Sequence, residues 1–249
     1  MWAFDTFADE FHVATRLYFK LDLCPSRETL LHFFDHVRRA YPGMLRFRRR
    51  DDGATILDEE AQIDGHRRYI RVDNQALRFG HLGPPNQEAV ASFAKMILTH
   101  SPYHLSLSDL DYDSLEVAYS FDLEYCGNHD ELVAETLLGD SPLQAALLGH
   151  DARIIDCQPC LGFALTEDCA TQAYLDIRGR TSMHELRSEE YEPQLLSVRL
   201  ALRRYFRNGA PPDLTAVHHE LLTTGEAMAA NRIVPQIVRP LREAIASRR

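Results

Sequence analysis

Between Arg16 and Leu23 apolar and polar residues alternate, with Leu17, Phe19, Leu21 and Leu23 on one side and Arg16, Tyr18, Lys20 and Asp22 on the other. A period of two predicts a half-buried strand. The period then lengthens. After Cys24-Pro25-Ser26, residues Leu30, Phe33, Phe34, Val37 and Tyr41 share one helical face, with Ser26 placed as N-cap and Pro42-Gly43 as the stop. Strand-like pieces follow at about residues 44–50, 54–60, 67–73 and 75–82. Behind Pro84-Pro85 a helix opens at Asn86, carrying Val90, Phe93, Ala94 and Ile97 on one stripe.

The pattern then returns. Leu115, Val117, Tyr119, Phe121, Leu123 and Tyr125 alternate, and a shift of 102 positions lays Phe19 on Phe121, Leu21 on Leu123, Cys24 on Cys126, Ser26 on Asn128 and Leu30 on Leu132. A second Pro-Pro stop, Pro211-Pro212-Asp213, follows at an offset of 127. The added length falls among strand-like pieces at about residues 152–157, 160–167, 171–186 and 194–206. A last helix carries Ile233, Ile237, Leu241 and Ile245, with a kink expected at Pro240. Each unit reads β-α-β4-α. The expectation is therefore an α+β protein made by tandem duplication, an antiparallel sheet backed by helices. Residues 1–105 form one unit; residues 106–249 form the other, with a C-terminal helical extension, the two making one pseudo-symmetric body. The order of elements resembles the TATA-binding-protein-like and helix-grip folds, a likeness that carries no functional residue with it.

Apolar residues make up 45% and charged residues 26%, which fits a folded globular chain. Lys and Arg number 27 against 37 Asp and Glu, and a net charge of −10 works against nucleic-acid binding. The densest basic run, Arg46, Arg48, Arg49 and Arg50, meets Asp51, Asp52, Asp58, Glu59, Glu60 and Asp64, so cross-strand pairing is expected there. No stretch nears the roughly 18 apolar residues of a membrane span. The acidic N-terminus has no signal-peptide pattern. Five scattered cysteines make no disulfide framework, which points to a cytoplasmic protein.

Gly127-Asn128-His129-Asp130 resembles the Gly-Asn-His block of calcineurin-like metallophosphoesterases. Asp64-Gly65-His66 matches that family's Asp-x-His spacing and Gly149-His150 the start of its last block, while the intervening Gly-Asp-x-x-Asp is missing. The resemblance implies a metal-dependent phosphoester hydrolase using Asn128, His129, Asp64, His66 and His150 to activate water. The same string also reads as a helix start, with Asn128 as cap, Glu131 three residues on and Asp130 in the first turn. Cys157 and Cys160, with Cys169, offer three thiols where a structural zinc site takes four ligands. Buried thiols in a hairpin are the expectation. His32 and His36 have chelating spacing, but they lie off the apolar stripe and are expected to face solvent.

The chain is thus expected to be a non-enzymatic binding or assembly protein without cofactor or metal. It would take a protein partner or a small apolar ligand on the concave sheet face, with a homodimer possible and no nucleic-acid or membrane partner. The interaction candidates are two charged stripes, Glu116, Asp122 and Glu124 against Arg199 and Arg203. These either pair within the chain or dock a partner. The phosphoester hydrolase is the competing expectation, and it requires His66, His129 and His150 to converge.

Overall fold

The computed structural model describes residues 5–60, 65–139, 141–142, 153–206 and 212–248. Its elements are β1 (Glu10–Phe19), α1 (Arg27–Ala40), β2 (Arg46–Arg49), β3 (Thr55–Asp58), β4 (Arg67–Val72), β5 (Ala76–Leu82), α2 (Gln87–His104), β6 (Tyr112–Tyr125) and α3 (His129–Leu138). Then come β7 (Cys160–Ala164), β8 (Thr171–Arg178), α4 (Met183–Ser188), β9 (Gln194–Tyr205) and α5 (Leu214–Met228). A π-helical stretch (Ala229–Val238) leads into α6 (Arg239–Ser247). The strands form one antiparallel sheet in the order β2-β3-β4-β5-β1-β6-β9-β8-β7. The two halves of the chain join edge to edge through β1 and β6, which pair from Glu10↔Asp122 to Tyr18↔Ser114.

Alternation explains which face is covered. Phe11, Val13, Leu17 and Phe19 of β1, with Leu115, Val117, Tyr119 and Phe121 of β6, point to one side and are buried. There α5 packs on β6 and β9, α2 on β5, and α1 and α5 against α2. Side-chain caps start the helices: Ser26, Asn86, Asn128 and Asp213 each accept backbone N–H groups of the first turn. Among the described residues no helix packs on the other face, and no helix is long and apolar enough to cross a membrane.

Several expectations are corrected. The first strand starts at Glu10, not Arg16, because β6 is long enough to pair with the earlier residues; Thr15, turned inward onto His218, hides the alternation. It ends at Phe19, where the register with β6 shifts, and Leu21 is 72% exposed. In the second half, residues 153–159 form no strand, and the piece at 171–186 divides into β8 and α4. Ser182 and Glu185 make the reciprocal capping box that forces this division. Among the described residues the order there is β-α-β-β-α-β-α, with three strands after α3 rather than four. The C-terminal helix is continuous with α5: the wider π-helical stretch contains Pro235, and Pro240 follows at the start of α6.

Candidate functional site

The helix-free face carries three rows of side chains, each perpendicular to the strands. The middle row is small: Gly80, Ala14, Ala118 and Ala201 are consecutive cross-strand partners, flanked by Tyr69 on β4 and Tyr174 on β8. At about 4.8 Å per strand these four positions span about 14 Å. Tyr69 lies over Gly80, where an added Cβ would come within 2.9 Å of its Cε1. On one side of this floor runs Arg71–Arg78–Arg16–Glu116–Arg203, again consecutive partners. On the other side runs His12–Ser120–Arg199–Asp176.

Glu116 is 2% exposed and stands opposite Arg16, yet its carboxylate is taken by Arg199 and Arg203 of β9. Arg203 also donates from Nη2 to the Tyr18 hydroxyl at 2.8 Å and from Nη1 to that of Tyr205 at 3.2 Å. Burial works against the charge of Arg203, but Glu116 overrides it and raises the pKa. Burial and the same carboxylate push Tyr18 up. Arg16 is left stacked 4.1 Å above the Tyr18 ring, with no ion pair among the described residues. Burial, reinforced by the Arg78 cation, lowers its pKa. Asp73 bridges Arg78 at 3.3 Å and Arg71 at 3.6 Å, and Asp52 takes Arg71 at 2.5 Å. Even so, the Nε atoms of Arg16, Arg67 and Arg78 are buried without an acceptor among the described residues, and the Nε of Arg71 reaches Asp73 only at ion-pair distance.

Across the floor, His12, Ser120, Asp122, Asp176, Arg178 and Arg199 line a cleft of about 240 Å³. Asp122 Oδ2 is 3.7 Å from His12 Nδ1, and its Oδ1 is buried without a donor among the described residues. Burial lowers the His12 pKa; Asp122 opposes the shift and Arg199 adds to it. The separation exceeds hydrogen-bond range, so His12, Asp122 and Ser120 form no proton relay as they stand.

The charged stripes therefore meet inside the chain at Glu116, while Glu124 lies at the exposed end of β6. The hydrolase candidates fall otherwise. Asp64 and His150 lie outside the described residues. His66 stacks near His81 beside Gly83, in the first half of the chain. Asn128 caps α3 and donates from Nδ2 to the Ile154 carbonyl at 3.0 Å. His129 is 1% exposed; its Nε2 is 3.2 Å from the Tyr125 carbonyl and its Nδ1 accepts the Arg180 N–H at 3.2 Å. Both ring nitrogens are thus engaged by backbone, and burial lowers the pKa.

The cysteines are not buried as expected. Cys160 and Cys169 are exposed and Cys157 is half-buried, because β7 is the sheet edge and lacks a covering helix among the described residues. Cys160 opens β7 and Cys169 lies in the turn beyond its far end, about 13 Å or more along the strand. His36 also departs from expectation: it is half-buried against α2. The arginine row was missed because its arginines come from four strands, and only the register aligns them. No protein-family model matches the chain, and no curated protein is significantly similar to it.

Proposed function

We propose that the protein is a non-catalytic binding protein whose uncovered sheet face receives an acidic segment of a partner protein. One observation carries the reading: the buried Nε–H donors of Arg16, Arg67 and Arg78, without an acceptor among the described residues and all on that face of an otherwise acidic chain. A buried donor left unmet costs about 1–3 kcal/mol, more when charged, so such a group calls for an acceptor. Carboxylates laid across the Gly80–Ala14–Ala118–Ala201 floor would supply one, and arginine is suited to bidentate capture of carboxylates. The charge and breadth of the face favour such a segment over a small apolar ligand. The engaged nitrogens of His129 and the capping role of Asn128 favour a structural account of that string over phosphoester hydrolysis.

We also infer that the face arose by tandem duplication. The sequence offset of 102 equates Thr15 with Val117, and these two residues are direct partners in the β1–β6 pair. In each half the first strand pairs with the last, and the others fan outward. Five free cysteines suit a reducing, cytoplasmic setting.

Fluorescence anisotropy of a labelled oligoglutamate peptide tests the binding reading. The full chain should bind it more weakly as salt rises, and Arg16→Gln with Arg78→Gln should weaken binding at least tenfold. Unchanged affinity in the double variant, or tighter binding of a single-stranded oligonucleotide, would overturn it.

A further inference from the structure

We propose that the seam between α1 and α2 is a transition-metal site built from His36, His100 and His104, with His32 at its rim. Each helix contributes an i,i+4 pair, His32 with His36 and His100 with His104, and residues at that spacing share a helix face. The two helices pack on one another and bring the pairs together. The His36 ring centre is 4.3 Å from that of His100 and 4.9 Å from that of His104. Imidazoles bound to one ion at about 2.0–2.1 Å have ring centres roughly 4.5–5.5 Å apart, so the His36–His104 spacing falls in that range and the His36–His100 spacing lies just below it.

The electrostatics point the same way. Burial lowers the His36 and His104 pKa values, and the neighbouring histidines add to the shift. Asp35, the acid nearest in sequence, pairs with Arg38 instead, at 3.6 Å. Arg39 also faces His36, but it is solvent-exposed and screened. Neutral imidazole suits Zn²⁺, Ni²⁺ or Cu²⁺. Among the described residues no three His, Cys, Asp or Glu side chains already converge on one point. Closure requires the half-exposed rings to turn, a ps–ns motion that leaves both helices in place. This site is separate from the arginine face and stands whether or not that face binds an acidic segment.

The test is calorimetric titration of the full chain with Zn²⁺ at pH 7.5 and 5.5, with X-ray absorption to identify the ligand atoms, since exposed thiols could also take zinc. The expected result is one ion per chain on nitrogen ligands, bound at least tenfold more weakly at pH 5.5, where protonated imidazoles cannot ligate. His36→Gln should cost at least tenfold in affinity, as should His104→Gln, each verified as folded by circular dichroism. Absence of one-to-one binding, sulfur ligation, or unchanged affinity in either folded variant would overturn the proposal.

Discussion

Glu116 holds the uncovered face together: it is buried, while both arginines bound to it remain partly exposed. Glu116→Gln should cost about 2–4 kcal/mol in urea unfolding at pH 7, toward the lower end for breaking a buried pair because Arg199 and Arg203 regain some water. A loss under about 0.5 kcal/mol would place the pair among ordinary surface bridges. On the covered face, His218 is buried with Nε2 3.0 Å from Thr15 Oγ1, and burial depresses its pKa to about 4. The unfolded chain takes up that proton nearer pH 6.5. The stabilising effect is therefore intact above about 6.5 and lost as pH falls toward 4, by about 2 kcal/mol at pH 5. His81, also lowered to about 4, adds in the same window. Urea unfolding of His218→Gln at pH 5 and pH 7 should show a smaller difference than the parent; an equal difference would contradict this assignment. Single residues were legible in the sequence where their partners were local. The caps Ser26, Asn86, Asn128 and Asp213 bond within three residues. Glu116 meets Arg199 across 83 positions, so its pairing depended on strand order.

At the scale of elements, helix packing turns on Gly225 of α5. A Cβ there would lie 2.5 Å from Cε2 of Tyr119, whose hydroxyl donates to the Leu222 carbonyl of the same helix at 2.5 Å. Gly225→Ala should therefore lower stability, because overpacking of about 1–3 kcal/mol outweighs a helix-propensity gain of about 1 kcal/mol. A raised melting temperature would contradict the close packing. Most strands, and the helix starts at Ser26, Asn86, Asn128 and Asp213, were readable from the sequence pattern, whereas the start of α4 at Ser182 was not. The failures have separate causes. Thr15 breaks the alternation of β1 because it bonds a helix residue, and α4 interrupts the piece at 171–186 through a local capping box. The exposed apolar pattern of β7 looks like a core strand although the sheet leaves it at an edge.

At the scale of the whole molecule, β1 and β6 stitch the halves into one sheet while α2 and α5 pack across the junction. Unfolding should be a single cooperative step, with far-UV and tyrosine near-UV dichroism coincident; two separated transitions would contradict a shared core. The β-α-β4-α pattern was legible for residues 1–105, but the sequence left open whether the units join edge to edge or face to face. That choice decides whether Glu116, Arg199 and Arg203 of the second half join the arginines of β1, β4 and β5 on one surface. The most direct test of the acidic-segment account is an NMR titration of the full chain with oligoglutamate, read on arginine Nε–H resonances. The account predicts that Arg16, Arg71 and Arg78 shift together and saturate at one peptide per chain, while arginines off the uncovered face, such as Arg38 and Arg248, stay fixed. Uniform small shifts over all arginines, or none at Arg16 and Arg78, would contradict it.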